Sequence, residues 1–185
     1  MLVVFFSRPG ENFNVGVVDE GSTAKLARIV AEESGAASVR IVPDRAYPAG
    51  YDEAKSLIQH ELEAQARPGI ALRAVSPDGL DAERAVAAAG RIALGYPIWC
   101  GSLPMPVRTF LDGHDLRGKT ILPFCTNEGS GLARTMDELR GALPGCDVRD
   151  GLPVLGSAVQ SDPDALRPLV ARWLASADAD GVSAG

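Results

Sequence analysis

Lysine is scarce in this chain, confined to Lys25, Lys55 and Lys119, and histidine is scarcer still, at His60 and His114. The rest of the positive charge is arginine, nowhere clustered, and the formal net charge is −6. Together these exclude the basic patch that holds a nucleic-acid backbone. Cysteine occurs three times, at Cys100, Cys125 and Cys146, with no CxxC pair. Two histidines beside three dispersed cysteines do not build a zinc site, and unpaired thiols fit a reducing, cytoplasmic setting. Long apolar runs are missing too. Met1-Leu2-Val3-Val4-Phe5-Phe6 has no basic region before it and is far too short to cross a bilayer, so no membrane is expected as partner.

At 185 residues, with 46% hydrophobic and 23% charged residues, the chain has enough material for one cored domain. That domain is expected over residues 1–177, with 178–185 as a flexible tail. Strand-like apolar runs fall at Leu2–Phe6, 38–42, 91–94, 120–124 and, more weakly, 148–154. Helical spacing separates them. Leu26, Ile29 and Val30 follow Ser22 as a cap, and Ala54, Leu57, Ile58 and Leu62 follow Asp52. Leu132, Met136, Leu139 and Leu143 repeat after Gly131. Asp162 and Pro163 open a last helix, lined by Leu166, Leu169, Val170, Trp173 and Leu174. Segments 8–21 and 66–80 read as irregular. Short apolar strands alternating with helices predict an α/β fold with three layers, a doubly wound five-stranded parallel sheet covered on both faces.

Parallel topology brings three strand-end loops to one edge, where open α/β sheets bind ligands. The first holds Ser7 and Arg8 and returns at Gly21-Ser22-Thr23, a helix start whose free N–H groups suit a phosphate. Ser22 is equally a simple cap, and Arg8 is either an assisting cation or a solvated surface residue. The second, Gly95 to Pro106, carries Pro97, Ile98, Trp99, Cys100 and Gly101. It suits a planar ring, although Trp99 also reads as a core residue and Cys100 as a packed thiol. The third, Thr126-Asn127-Glu128-Gly129-Ser130-Gly131, offers small residues whose N–H groups could meet a polar ring edge.

In these three segments, over residues 1 to about 155, the chain resembles the flavodoxin-like proteins. The closest resemblance is to the group written SR-(insert)-GNT, GYPIWWG-x-MPMPVxTFL and PFCTxxGSG. The resemblance implies the strand order 2-1-3-4-5 and an FMN site. Ser7, Arg8, Gly21, Ser22 and Thr23 would then lie at the phosphate. Pro97, Ile98, Trp99, Cys100 and Gly101 would line the ring, and Thr126, Asn127, Glu128, Gly129 and Gly131 would close the third side. Twelve residues separate Arg8 from Gly21 where that group has a short loop, Cys100 replaces a second tryptophan, and Asn127-Glu128 replaces smaller residues.

With one aromatic at the ring, the reading is an oxidoreductase that moves electrons from a reduced nicotinamide to a small quinone-like acceptor. Alternatives are a one-electron carrier served by a reductase, and a scaffold without flavin. Glu128, facing the ring, would lower its potential. The insertion at 9–20, with Phe13, Val15, Val17 and Val18, is either a lid or a contact in a homodimer.

Overall fold

Leu2–Phe6 (β1) is buried at every position, the pattern of a strand covered on both faces. In the computed structural model, which describes residues 1–179, β1 leads into a hairpin of Gly10–Asn12 (β2) and Gly16–Val18 (β3). Helix Ser22–Ser34 (α1), strand Ala37–Pro43 (β4), helix Tyr51–Glu63 (α2), strand Ile70–Ser76 (β5) and helix Ala82–Ala88 (α3) follow. Arg91–Pro97 (β6), Met105–Gly113 (α4), Thr120–Asn127 (β7) and Thr135–Ala142 (α5) continue the alternation. Asp147–Val148 (β8), Leu152–Leu155 (β9), Gly156–Ser161 (α6), a 3₁₀ turn at Asp164–Leu166 and Arg167–Ala179 (α7) complete it.

The sheet runs β5-β4-β1-β6-β7-β8, with β9 also on β7. All pairings are parallel except β5 on β4. Counting β8 and β9 as one interrupted strand, the parallel strands take the expected order 2-1-3-4-5. The interruption falls opposite Leu122 and Pro123 of β7, and proline has no N–H to continue a ladder.

Both segments expected to be irregular contain strands. Pro68 and Pro77 flank β5 rather than break it, and its half-buried Ile70, Leu72 and Ala74 alternate with exposed Ala71, Arg73 and Val75. The hairpin turns through Asn14 at φ 56° and Gly16 at φ 82°, a pair of residue types that tolerate the left-handed region.

Alternate strand residues supply two cores. Val4, Phe6, Leu94 and Tyr96 pack under α2, α3, α4 and α5, whereas Val3, Phe5, Ala93 and Phe124 pack under α1 and α7. Trp173 of α7 meets Phe124 edge-on at 6.0 Å and donates to Asp150 O. Asp162 accepts from Ala165 N, so it caps the 3₁₀ turn ahead of α7. Helix α7 continues to Ala179, past the expected start of the tail at 178; positions 180–185 lie outside the described residues.

The tightest place in the second core is Gly95, where an added Cβ would overlap the fully buried Phe124 ring. Gly95→Ala is expected to destabilise the fold by about 1–3 kcal/mol through overpacking. Urea unfolding measures this as a lower midpoint with an unchanged slope.

Candidate functional site

At the carboxyl edge of the sheet lies a cavity of about 360 Å³ bounded by all three loops, the hairpin and α2. Ser7, Arg8, Ser22, Thr23, Pro97, Ile98, Trp99, Cys100, Gly101, Thr126, Asn127 and Glu128 border it. Gly21, Gly129 and Gly131 do not. Ser130 and Gly156 do, together with Asn12, Phe13 and Val15 of the hairpin and Tyr51, Ala54, Lys55 and Ile58 of α2. Helical spacing alone places Ala54 and Ile58 in the core, and Phe13 and Val15 belong to the insertion expected as a lid or a homodimer contact.

The first loop closes on the start of α1. Gly21 takes the N-cap position, and the cap comes from outside the helix: Ser7 Oγ accepts from Ala24 N at 3.1 Å. Ser22, expected as the cap, instead donates to Gly156 O at 3.1 Å, and Thr23 Oγ1 pairs with Thr126 Oγ1 at 2.7 Å. Gly21 is required because a Cβ there would overlap Arg8 O and Ser7 Oγ. The Ser22 and Thr23 N–H groups belong to the first turn, for which a helix supplies no carbonyl, and that turn contains no acidic residue.

Arg8 is neither a solvated residue nor a free cation, being only 8% exposed. Its guanidinium donates to Pro48 O, Ala49 O, Gly50 O and Glu11 O at 2.7–3.2 Å, and more weakly to Asn12 Oδ1. Burial lowers its pKa, with the nearby Glu11 charge opposing. These bonds fasten the hairpin to the loop before α2. Glu11 adds its own N–H to Ala49 O, and its carboxylate accepts from Tyr51 N at 3.0 Å. Asp52, expected as the cap of α2, lies within the first turn, while Gly50 holds the N-cap position.

In the second loop, Trp99 and Ser102 exchange backbone hydrogen bonds of 3.1 and 2.9 Å around Cys100 and Gly101 at φ 50° and 73°. This two-residue turn has both central residues left-handed, and Cys100 at its tip is exposed rather than packed. Glu138 of α5 anchors the turn by accepting from Ser102 Oγ and Leu103 N, and Arg108 and Arg134 neutralise it. Trp99 is 9% exposed, edge-on to Phe6 at 5.0 Å and to Tyr47 at 4.8 Å, so it is both core residue and cavity wall. Tyr96 is fully buried, its hydroxyl on Thr135 Oγ1. Of the other thiols, burial pushes Cys125 up to about 12 and also raises Cys146.

The third loop corrects the expected donors. Asn127 Oδ1 accepts from Gly129 N at 2.9 Å and Gly131 N at 3.0 Å, so neither N–H is offered to the cavity, and Asn127 Nδ2 donates to Val154 O. Glu128 borders the cavity, but its carboxylate accepts from Ser157 N at 2.7 Å and Ser157 Oγ at 3.0 Å. It caps the start of α6. His114 lies elsewhere, on Phe110 and Glu83.

The flavodoxin family model matches residues 15–167. The chain belongs to the flavodoxin family. Among solved structures, a chain described as a flavoprotein from Bacteroides uniformis is 27% identical, with 94% of this chain and 96% of that one covered and a TM-score of 0.68. A flavoprotein from Lactobacillus acidophilus, in complex with FMN, is 20% identical over 86% and 95% of the two chains, with a TM-score of 0.62. An NADH:FMN oxidoreductase in its apo form is 20% identical over 95% and 87%, with a TM-score of 0.53. No curated protein sequence matches the chain.

In this flavodoxin-family chain Arg8→Lys keeps the charge but cannot reach four carbonyls. It is expected to cost about 2–3 kcal/mol, the scale of charge-assisted hydrogen bonds lost in a buried setting. Chemical denaturation measures that loss, and limited proteolysis should cut within residues 9–20 sooner than in the parent protein.

Proposed function

We propose that the cavity holds FMN and that the chain is an FMN-dependent oxidoreductase taking electrons from NAD(P)H and passing them to a small quinone-type acceptor. The observation that carries this is the continuity of one cavity. It runs from a helix start with close backbone approach, past an aromatic wall, to the side formed by the hairpin and α2. The residues fit the cofactor: Gly21 lets the Arg8 carbonyl and the Ser7 hydroxyl crowd the start of α1, and the Ser22 and Thr23 N–H groups favour a phosphate.

Pro97, Ile98, Trp99, Cys100 and Gly101 would lie along the ring, with Thr126, Asn127, Glu128 and Ser130 opposite. The Trp99–Ser102 turn leaves the Cys100 and Gly101 N–H groups outside its own hydrogen bonds, and these would serve the ring's polar edge. Gly129 and Gly131 would act through the Asn127-bonded turn, and Arg8 through the frame of the first loop. When bound, FMN supplies two-electron chemistry between donor and acceptor. Overall, NAD(P)H, a proton and a quinone become NAD(P)⁺ and a hydroquinone. The chain's part is to exclude water, hold the partners in register and leave one side open. The resemblance to an NADH:FMN oxidoreductase agrees with this direction of electron flow.

Among the described residues, no helix is long and apolar enough to cross a membrane. A cytoplasmic setting remains part of the proposal, resting on the unpaired thiols.

The purified protein is expected to be yellow, or to take up FMN in preference to riboflavin, and to oxidise NADH or NADPH when menadione is added. Gly21→Ala should weaken FMN binding by about tenfold or more, since crowding the phosphate seat removes at least one charge-assisted contact. A protein that stays colourless in excess FMN would sink the reading and leave the scaffold; FMN uptake without turnover by either nicotinamide would leave the one-electron carrier.

A second measurement uses the turn. At pH 8 iodoacetamide is expected to modify Cys100 first, because Cys125 is buried with a thiol pushed to about 12. Bound FMN should slow that modification about tenfold or more by covering the Cys100 wall. Equal rates with and without FMN would place the ring away from this turn.

A further inference from the structure

Two of the three lysines are committed inside the fold. Lys119 Nζ donates to Ala87 O and Ala89 O, and Lys25 Nζ to Gln160 Oε1. Lys55 is different. Its ammonium stands 5.8 Å above the Tyr51 ring, and among the described residues no hydrogen bond or ion pair engages it. It borders the same cavity as the three loops, on the side formed by the hairpin and α2.

That side is built as a slot. Phe13, at the hairpin tip, is 57% exposed and faces the Tyr51 ring at 6.0 Å with 32° between the planes. Ala54 and Ile58 form an apolar floor, at 2% and 7% exposure. The arrangement is held by the Arg8 guanidinium and the Glu11 to Tyr51 contact, so Phe13 is presented against α2 by a bonded frame. Helix α2 packs in the layer opposite α1, which separates this slot from the start of α1 where the phosphate is proposed.

Charge narrows the occupant. The Glu11 carboxylate is bonded to Tyr51 N, Glu128 is bonded to Ser157, and Arg8 is surrounded by carbonyls. Lys55 is therefore the unpartnered charge bordering the cavity among the described residues. The exposed Phe13 ring, tilted against Tyr51 beside an apolar floor, suits stacking of a flat ring, and one ammonium at the rim suits an anionic substituent.

Resting on the FMN reading above, we propose that Phe13, Tyr51, Ala54, Ile58 and Lys55 form the acceptor subsite, selective for planar aromatic acceptors that carry an anionic group. Lys55 reads the charge and Phe13 with Tyr51 reads the ring. Tyr51 and Lys55 stand on α2 and Phe13 on the hairpin inserted between Arg8 and Gly21, apart from the residues proposed to hold the flavin.

The test is binding by the FMN-loaded protein without any electron donor. Anthraquinone-2-sulfonate and neutral 2-(hydroxymethyl)anthraquinone are titrated calorimetrically. The sulfonate should bind about three- to tenfold more tightly, the range of one partly exposed ion pair. Lys55→Gln should remove that difference and Lys55→Arg should keep it. Phe13→Ala should weaken both ligands by about three- to tenfold, with FMN affinity unchanged. Equal affinity for the two ligands, a preference that survives Lys55→Gln, or loss of FMN in Phe13→Ala would each overturn the assignment. Charge-selective binding with no turnover by NADH or NADPH would keep the subsite and remove the reductase. Turnover with no dependence on Lys55 would keep the reductase and remove the subsite. A chain that takes no FMN removes both.

Discussion

One guanidinium organises the functional edge of this protein. Arg8 leaves the end of β1 and gathers carbonyls from the adjoining hairpin and from the loop before α2, 40 to 42 residues further along the chain. A buried charge is costly unless every donor is met, and here carbonyl oxygens meet it directly, with the Glu11 carboxylate near but bonded to Tyr51 N. Ser7, its neighbour, is thereby fixed where it accepts from Ala24 N, so the same anchor that places the hairpin also shapes the start of α1. The cavity is a consequence of that anchor as much as of the sheet.

The remaining walls follow the same logic of backbone groups satisfied by side chains from elsewhere. Glu138 holds the Trp99–Ser102 turn from α5, Asn127 folds its own loop around two N–H groups, and Glu128 caps α6. Polar residues that look like ligands in isolation are largely structural here. What they leave facing the cavity is apolar surface, a few uncommitted N–H groups and one lysine, a composition suited to a flat cofactor that brings its own chemistry.

The parallel strands were legible because runs such as Leu2–Phe6 and 91–94 are buried on both faces and need no partner information to be recognised. The Trp99 loop was legible because its glycines and prolines punctuate it. The hairpin was not, since its three-residue strands carry no apolar alternation and depend on Arg8 and Ala49 for support. Tyr51 and Lys55 were missed because helical spacing reports which residues face the core, not which ones the hairpin will lean against. Arg8 was misread because four carbonyls brought together by the fold leave no trace in sequence.

The antiparallel strand β5 has a bearing on how the molecule keeps to itself. Without it, β4, an apolar parallel strand, would end the sheet with an open row of N–H and C=O groups, a template onto which another chain could pair. Strand β5 moves that border outward to a segment with Arg73 pointing into water and Pro77 just beyond its end. A charge and a proline at a sheet border discourage strand addition between molecules. The segment that looked least structured thus guards against fibrillar association.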